Sequence, residues 1–222
     1  MKAFPLPLEG GVLLRRYKRF LADVRLPDGS VETVHCANPG AMTGCAEPGS
    51  PVLLSRAQNP RRKLALTWEL VRVGRTWVCV NTAAANRCVG KWLRSGQLLP
   101  GLGPIRSEVR HGDARFDFGF DGGLLEVKTV TLADGRIGAF PDSVSERARR
   151  HVETLAAATG RRLLVYFVAR GDLRAVRPAD EIDPKYGAAL RRAVEAGVEV
   201  LAVRARFTPE GVRRGPLLDV IL

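Results

Sequence analysis

Hydrophobic and polar residues alternate in short runs over the N-terminal part of the chain, and turn-forming residues separate these runs. Pro27-Asp28-Gly29 divides the first two runs, and Gly74-Arg75 forms a tight link further on. The predicted strands are Val12–Val24, Glu32–Cys36, Val52–Leu54, Leu64–Val73 and Thr76–Val80. Short strands at this spacing predict a small β-barrel of the OB type over residues 1–82.

A helix and a linker are predicted to follow the barrel, over residues 83–104. Ala83–Arg94 has a helical pattern in which Trp92 and Leu93 pack inward, and Ser95–Pro104 has the composition of a linker.

Residues 105–222 are predicted to form a second domain, which opens with a β-hairpin. In residues 115–120 phenylalanine alternates with other residues, and in residues 125–128 Leu125 and Val127 alternate with charged residues. Asp121-Gly122 lies between the two runs. This dipeptide is typical of a two-residue hairpin loop, because a type I′ turn needs positive φ at both central positions.

The register of this hairpin brings two acids together. With residues 121 and 122 as the loop, residue 120 pairs with 123, which sets Asp117 opposite Glu126 and Arg115 opposite Lys128. Opposed residues have Cβ atoms about 4.5–5.5 Å apart, and like charges at that distance destabilise a sheet. A divalent cation held by both carboxylates would offset the repulsion. A cross-strand charge cluster with Arg115 and Lys128 is the alternative, but the apolar flanks predict burial, which favours the metal.

Helix and strand patterns alternate after the hairpin. The predicted elements are a helix that starts with a capping box at Ser143 and Glu146, then Leu163–Val168, Lys185–Ala196 and Val198–Val203. This order predicts a mixed sheet flanked by helices, an α/β arrangement within a protein that is α+β overall. On the first helix Arg147 and His151 share a face. We expect both near the acid pair; a solvated helix face is the alternative.

Charge and composition indicate the partner. The formal net charge is +12 and the sequence pI is near 10.4, which favour a polyanion such as nucleic acid. The chain contains neither a run of eighteen apolar residues nor an export signal, so we expect a cytoplasmic protein without a membrane segment. The cysteines lack the spacing of a zinc site and are expected to be reduced core residues: Cys36, Cys45, Cys79 and Cys88.

A basic loop in the barrel is the first candidate for phosphate contacts. Arg61, Arg62 and Lys63 follow a rigid turn, and Trp68 comes close behind. Cations that track phosphates and aromatics that stack on bases are typical of single-stranded nucleic-acid binding. For Trp68 a core position is favoured, and for the three cations a merely solvated loop is the alternative.

Several segments resemble known families. Asp117 followed by Glu126-x-Lys128 resembles the PD-(D/E)xK nuclease signature, which is weak by itself. More specific segments resemble the sugar fermentation stimulation protein family, in order over nearly the whole chain. They are Arg15–Val24, His35–Gly44, Thr67–Leu70, Val80–Thr82, Arg115–Phe118, Glu126–Leu132, Phe140–Asp142 with Glu146, Arg147 and His151, Glu181–Tyr186 and Gly197–Ala202.

The resemblance implies a DNA-binding protein with an OB-like N-terminal domain and a PD-(D/E)xK nuclease-like C-terminal domain. The family is also linked to the regulation of maltose and other sugar metabolism in bacteria. Asp117, Glu126 and Lys128 would be the catalytic residues, and Asp117, Glu126 and the Val127 carbonyl would bind Mg²⁺ or Mn²⁺. The expected contacts to DNA or RNA are Arg61, Arg62, Lys63, Arg115, Arg147 and His151.

The sequence departs from the family pattern in the predicted helix. Relatives commonly carry a glutamate there, and the equivalent position is assigned to Lys91. A third acidic ligand from this helix is therefore in doubt, and Glu108 is the alternative source.

Three functions remain open at this stage. The leading hypothesis is a metal-dependent nuclease acting on DNA and potentially on RNA. The second is a DNA-binding regulator of sugar metabolism genes that has no turnover, and the third is a structural or ribosome-associated basic protein. A homodimer is also left open, since nucleases of this fold often pair.

Overall fold

Six strands form the N-terminal sheet. In the computed structural model, which describes residues 1–59 and 61–222, the sheet has the strand order β3-β2-β1-β4-β5-β6. A parallel pairing of β3 with β5 closes the first five strands into a barrel, as predicted. The strands are β1 (Glu9–Tyr17), β2 (Leu21–Arg25), β3 (Val31–Cys36), β4 (Pro51–Arg56), β5 (Leu66–Val73) and β6 (Thr76–Cys79).

The predicted strand Val12–Val24 is wrong, because it is two strands joined by a tight turn. Lys18 and Arg19 have φ values of 49° and 62°, in the left-handed region. Neither residue is a glycine or an asparagine, so the turn carries no ordinary sequence signal. Trp68 belongs to the barrel core, as favoured: it is fully buried and its Nε1 donates to the carbonyl of Leu70.

Nine strands form the C-terminal sheet, in the order β10-β11-β13-β15-β14-β12-β9-β8-β7. Here β9, β12 and β14 run parallel, whereas β7, β8 and β9 are antiparallel, so the sheet is mixed as predicted. The strands are β7 (Arg106–His111), β8 (Ala114–Phe120), β9 (Gly123–Val130), β10 (Leu132–Asp134), β11 (Ile137–Phe140), β12 (Arg161–Val168), β13 (Ala175–Pro178), β14 (Glu199–Thr208) and β15 (Gly211–Val220).

Helices cover both faces of this sheet. They are α1 (Thr82–Arg94), α2 (Glu146–Ala157) and α3 (Pro184–Glu195). One core joins α1 to the face that contains Leu125 and Val127, and another joins α2 and α3 to the opposite face. The predicted capping box is wrong by two residues, because the cap of α2 is Ser145, whose side chain accepts from the Ala148 amide. In the segment 95–104, expected as a linker, Leu98 and Leu102 are buried in the α1 core.

The barrel is attached to the second sheet at several points along the chain. The N-terminal amine donates to the carbonyl of Val212 at 2.8 Å, and the Cys79 amide donates to the carbonyl of Ala169 at 2.9 Å. The four cysteines are buried free thiols, as expected. In the part of the chain that the structure describes, none of the helices is both long and apolar enough to cross a membrane.

The hairpin loop is fixed to the start of β12 by Gly160, which leads to a first prediction. The Arg161 amide donates to the carbonyl of Gly122, and Gly160 has φ +77° with an added Cβ lying against that carbonyl. We expect Gly160→Ala to lower the free energy of unfolding by about 1–3 kcal/mol from backbone strain alone, and by more because of the clash.

The control for this change is Gly112→Ala, in which φ is +57° and an added Cβ meets nothing within 4 Å. Denaturant unfolding measures both variants. Equal losses of stability would show that the contact between Gly160 and the hairpin loop has no importance.

Candidate active site

The two-residue hairpin loop and its first pairs are confirmed, but the type I′ turn is not, because Gly122 has positive φ and Asp121 does not. Phe120 pairs with Gly123, and Phe118 pairs with Leu125. Pairing then stops, so the predicted pairs of residue 117 with 126 and of 115 with 128 are wrong. The reason is that the Val127 amide donates to Oδ2 of the Asp117 side chain, at 2.8 Å, instead of to a backbone carbonyl of β8.

The alternation of side chains along β8 is interrupted at Asp117. Across β7, Glu108 has a φ of +55° between the paired positions 107/118 and 109/116. As a consequence Phe116 packs in the α2 core, whereas Phe118 packs in the α1 core. The simple alternation expected for the phenylalanines is therefore broken where the acid lies, and Asp117 points along the sheet toward β9.

Asp117 is held by two donors in a half-buried position. Besides the Val127 amide, the side-chain amide of Asn86 on α1 donates to its Oδ1 at 2.5 Å. Burial and the nearby charge of Glu126 raise the pKa of Asp117 to about 6, although the two hydrogen bonds and Lys128 act in the opposite direction. The ionised carboxylate is thus at higher free energy than in water, which a bound cation would reverse.

Glu126 lies on β9, and its side chain contacts two basic side chains, those of Lys128 and His151. Its Oε1 accepts from Lys128 Nζ at 2.6 Å and contacts His151 Nδ1 at 2.6 Å. Burial by itself would raise the pKa of Glu126, but the hydrogen bonds from His151 and Lys128 outweigh it and hold that pKa below its usual value. Because a carboxylate only accepts, His151 Nδ1 must carry a proton in this pair.

One carboxylate oxygen of this cluster lacks a partner. Among the described residues, Glu126 Oε2 is buried and makes no hydrogen bond. An unpaired buried carboxylate oxygen is costly, and it is a hard ligand of the kind that Mg²⁺ and Mn²⁺ prefer. Asp117 and Glu126 therefore fit a divalent cation. Val127 is engaged through its amide, and a role for its carbonyl stays a prediction.

The remaining ligands would have to be water or phosphate. In residues 1–59 and 61–222 no group of three or more His, Cys, Asp or Glu side chains is arranged to hold a metal ion. Mg²⁺ usually keeps several waters and binds through one or two carboxylates plus substrate phosphate. Two carboxylates are therefore enough protein ligands for such a site, provided that water and phosphate supply the others.

Asn86 was missed by the sequence analysis, while the assignment of Lys91 as the counterpart of the relatives' glutamate stays a prediction. The α1 residue that contacts Asp117 is Asn86, whereas Lys91 is exposed at the wall of a separate cleft. Glu108 does not replace it, because that side chain is exposed and pairs with Arg115 at 3.5 Å. The available signal was a polar residue directly beside the buried alanines of α1.

The predicted nucleic-acid residues fall into separate regions. His151 lies at the acid pair through Glu126, while Arg147 on the same helix is exposed. Arg115 is exposed on β8. Arg61, Arg62 and Lys63 are exposed on the barrel, where Arg62 donates to Thr67 Oγ1 and contacts His35 Nδ1, each at 3.1 Å. The roles of these side chains stay predictions.

Comparison with known proteins gives the family of this fold. The model described as the SfsA N-terminal OB domain matches residues 14–80, and that of the sugar fermentation stimulation protein RE domain matches residues 83–211. A sugar fermentation stimulation protein homolog of Geobacter sulfurreducens is 49% identical, over 98% of this chain and 97% of its own. The homolog from Geobacter metallireducens is also 49% identical, over 98% and 99% of the two chains.

A solved structure has the same architecture throughout. It is that of Pyrococcus furiosus SfsA in complex with Ca²⁺, which superposes with a TM-score of 0.90 at 25% identity and covers 100% of both chains.

Proposed function

The chain belongs to the sugar fermentation stimulation protein family, and we propose that it is a divalent-cation-dependent hydrolase of phosphodiester bonds in DNA. One observation carries the proposal: Asp117, which is half-buried, and Glu126, which is buried, lie together, with Lys128 bonded to Glu126 and the other oxygen of that glutamate unpaired among the described residues. Such an arrangement is unfavourable in an empty protein and favourable around a cation. RNA is a further substrate that the same chemistry would accept.

The cation would be Mg²⁺ or Mn²⁺, held by Asp117 and Glu126 with the Val127 carbonyl as an additional ligand. When bound, it supplies a water of lowered pKa and polarises the phosphate. Binding of Ca²⁺ by the Pyrococcus furiosus relative supports an oxygen-ligand cation in this fold. The orphaned Oε2 of Glu126 supports the same position in this chain.

The protein's own groups have distinct tasks in this proposal. Lys128 lies within 2.6 Å of Glu126, so its ammonium can stabilise charge that develops on the phosphate oxygens and can orient the attacking water. It can take a proton only if its pKa falls, through burial or a neighbouring cation. His151 and Lys128 share Oε1 and so fix the rotamer of Glu126, which leaves Oε2 for the cation.

Nucleic acid is the substrate class that the charge favours. A net charge of +12 attracts polyanions, and the OB barrel is a scaffold that binds oligonucleotides in many proteins. Exposed cations lie on the barrel and near the acid pair, on α2 and β8. A cytoplasmic location, where such substrates occur, fits this proposal.

The test is incubation of purified protein with single- and double-stranded DNA and RNA in Mg²⁺, Mn²⁺ or EDTA. We expect cleavage with either metal and none with EDTA. The proposal fails if the protein binds DNA but shows no divalent-cation binding by calorimetry and cuts nothing.

A non-catalytic regulator of sugar (maltose) metabolism genes is the second candidate. It is favoured by Asn86, which brings an amide to Asp117 where a third acid would complete a metal site. It is also favoured by the name of the relatives, sugar fermentation stimulation protein homolog. A regulator of this kind would keep all of its activity after loss of Asp117 or Glu126, whereas the hydrolase would lose its activity.

The salt dependence of DNA binding gives a second prediction. If Arg61, Arg62 and Lys63 contact phosphates, replacing all three with glutamine should flatten the plot of log affinity against log salt by about 2–3 in slope, since each contact contributes about 0.9. Fluorescence anisotropy at several salt concentrations measures the slope.

A control variant separates this local effect from the change in net charge. Lys185, Arg192 and Arg213 are exposed on the C-terminal domain, and their replacement changes the charge equally. An unchanged slope in the barrel variant would remove this loop from the binding surface.

A further inference from the structure

A cleft of about 500 Å³ lies between the barrel and the start of α1. Its walls carry arginines from three parts of the chain, Arg56 on β4, Arg62 in the loop before β5, and Arg87 on α1. A volume of this size is within the range of small-molecule sites, about 300–1,000 Å³. The cleft is separate from the acid pair and has no part in the chemistry described above.

Two of these arginines are oriented without being neutralised by an adjacent acid. Arg87 Nε donates to the carbonyl of Ala3 at 3.2 Å, and Arg62 is held by Thr67 and His35. Arg56 differs, because both oxygens of Glu9 accept from it at 2.7 and 2.8 Å. Guanidinium groups that neutral partners hold in place are suited to bidentate phosphate binding.

Glu69 lies at the floor of the cleft, close enough for the charges of Arg62 and Arg87 to act on it. It is only 2% exposed, and its oxygens accept from Ser55 Oγ at 2.6 Å and from Asn81 Nδ2 at 2.7 Å. One engaged carboxylate faces two guanidinium groups, so the cleft retains positive charge. The start of α1 adds to that charge, since Ala83 lines the cleft and the first turn of the helix contains no acid.

Consecutive residues of α1 connect the cleft to the acid pair. Asn86 donates to Asp117, and Arg87 lines the cleft. Adjacent residues rise by about 1.5 Å along a helix whose diameter with side chains is about 10–12 Å. The two sites are therefore within roughly one helix diameter of each other, a span of one or two nucleotides of a single strand.

We propose that this cleft binds one unpaired nucleotide of the substrate strand, with its phosphate on Arg62 and Arg87, next to the bond that is cut. This inference rests on the proposed function and narrows its substrate class to single-stranded nucleic acid or unpaired ends. A paired base has its Watson–Crick edge occupied by its partner, so only an unpaired base can offer that edge to the walls of the cleft. The polar wall residues Gln58 and Asn59 offer hydrogen bonds to the base or sugar.

Binding measured without catalysis tests the cleft separately from the hydrolase proposal. In EDTA, the full-length protein is titrated with thymidine 5′-monophosphate, a short oligothymidine strand, a duplex of equal length, and inorganic phosphate. We expect the single strand to bind at least about 10-fold more tightly than the duplex, and the mononucleotide to compete with it. Tighter binding of the duplex would overturn the proposal.

Variants at the arginines identify the binding position. Arg62→Gln and Arg87→Gln should each weaken binding of the mononucleotide and of the single strand by about 10-fold or more, as expected for loss of a charged hydrogen bond. Arg56 lines the same cleft, but its guanidinium is already paired with Glu9. Arg56→Gln is therefore the matched control and should change the affinity less than about 3-fold. Thermal melting of each variant shows that the fold is retained, and Arg87→Lys replaces Arg87→Gln if the latter does not fold.

The outcomes distinguish the two proposals. If the wild type cuts nothing but the arginine dependence holds, the cleft stands and the hydrolase proposal falls. If the wild type cuts DNA but Arg62 and Arg87 variants bind normally, the cleft proposal is wrong. An effect on the free mononucleotide alone would identify a nucleotide effector site and would also overturn the proposal.

Discussion

Asp117→Asn and Glu126→Gln are each expected to abolish divalent-dependent cleavage and to weaken divalent-cation binding. Each change removes one anionic oxygen ligand from the proposed metal site, in which no third acid is arranged with these two among the described residues. Glu126→Gln also loses the charge pairing with Lys128. Calorimetry with Mn²⁺ and a cleavage assay with labelled DNA measure the two effects.

DNA binding in EDTA should survive both changes or improve. Without a cation the carboxylates repel the phosphate backbone, so removal of one negative charge relieves that repulsion. An exposed acid far from the cluster, changed as Glu210→Gln, serves as the control for net charge. Retention of full cleavage by Asp117→Asn would contradict the hydrolase proposal and leave the regulator as the better explanation.

The hairpin shows how far local sequence carries a prediction of this site. The position of the Asp121-Gly122 loop and the first pairs follow from local sequence, and the structure has them, although only Gly122 of the two loop residues has positive φ. The continuation of the ladder to Asp117 fails because a tertiary contact competes with it: the carboxylate accepts the Val127 amide and is held by Asn86 on α1. Neither contact has a periodicity that could be recognised along the chain.

The barrel shows the same limit in another form. Its strands follow from alternation and from turns rich in glycine and proline, and the OB-like barrel was predicted on that basis. The turn at Lys18-Arg19 was missed because both residues adopt a left-handed conformation, which is not predicted for lysine or arginine. The cleft that contains Arg62 and Arg87 could not be predicted from the sequence either, because it forms only when β5 and α1 pack together.

Lys128→Ala should separate catalysis from metal binding. We expect divalent-cation binding to persist, because the ligands Asp117 and Glu126 remain and one cation that competes for Glu126 Oε1 is gone. Turnover should nevertheless fall by about 10²–10⁴-fold, if the ammonium assists proton transfer or stabilises charge on the phosphate. Single-turnover cleavage at saturating Mn²⁺, with calorimetry on the same preparation, measures both quantities.

A matched variant distinguishes the charge of Lys128 from its packing. Lys128 is only 9% exposed, so alanine leaves a cavity as well as removing the ammonium, whereas Lys128→Met keeps most of the volume of the side chain. Both variants should lose turnover to a similar extent if the charge is what matters. If methionine restores turnover, or if alanine abolishes divalent binding together with cleavage, then Lys128 acts by supporting the position of Glu126 and has no direct part in the chemistry.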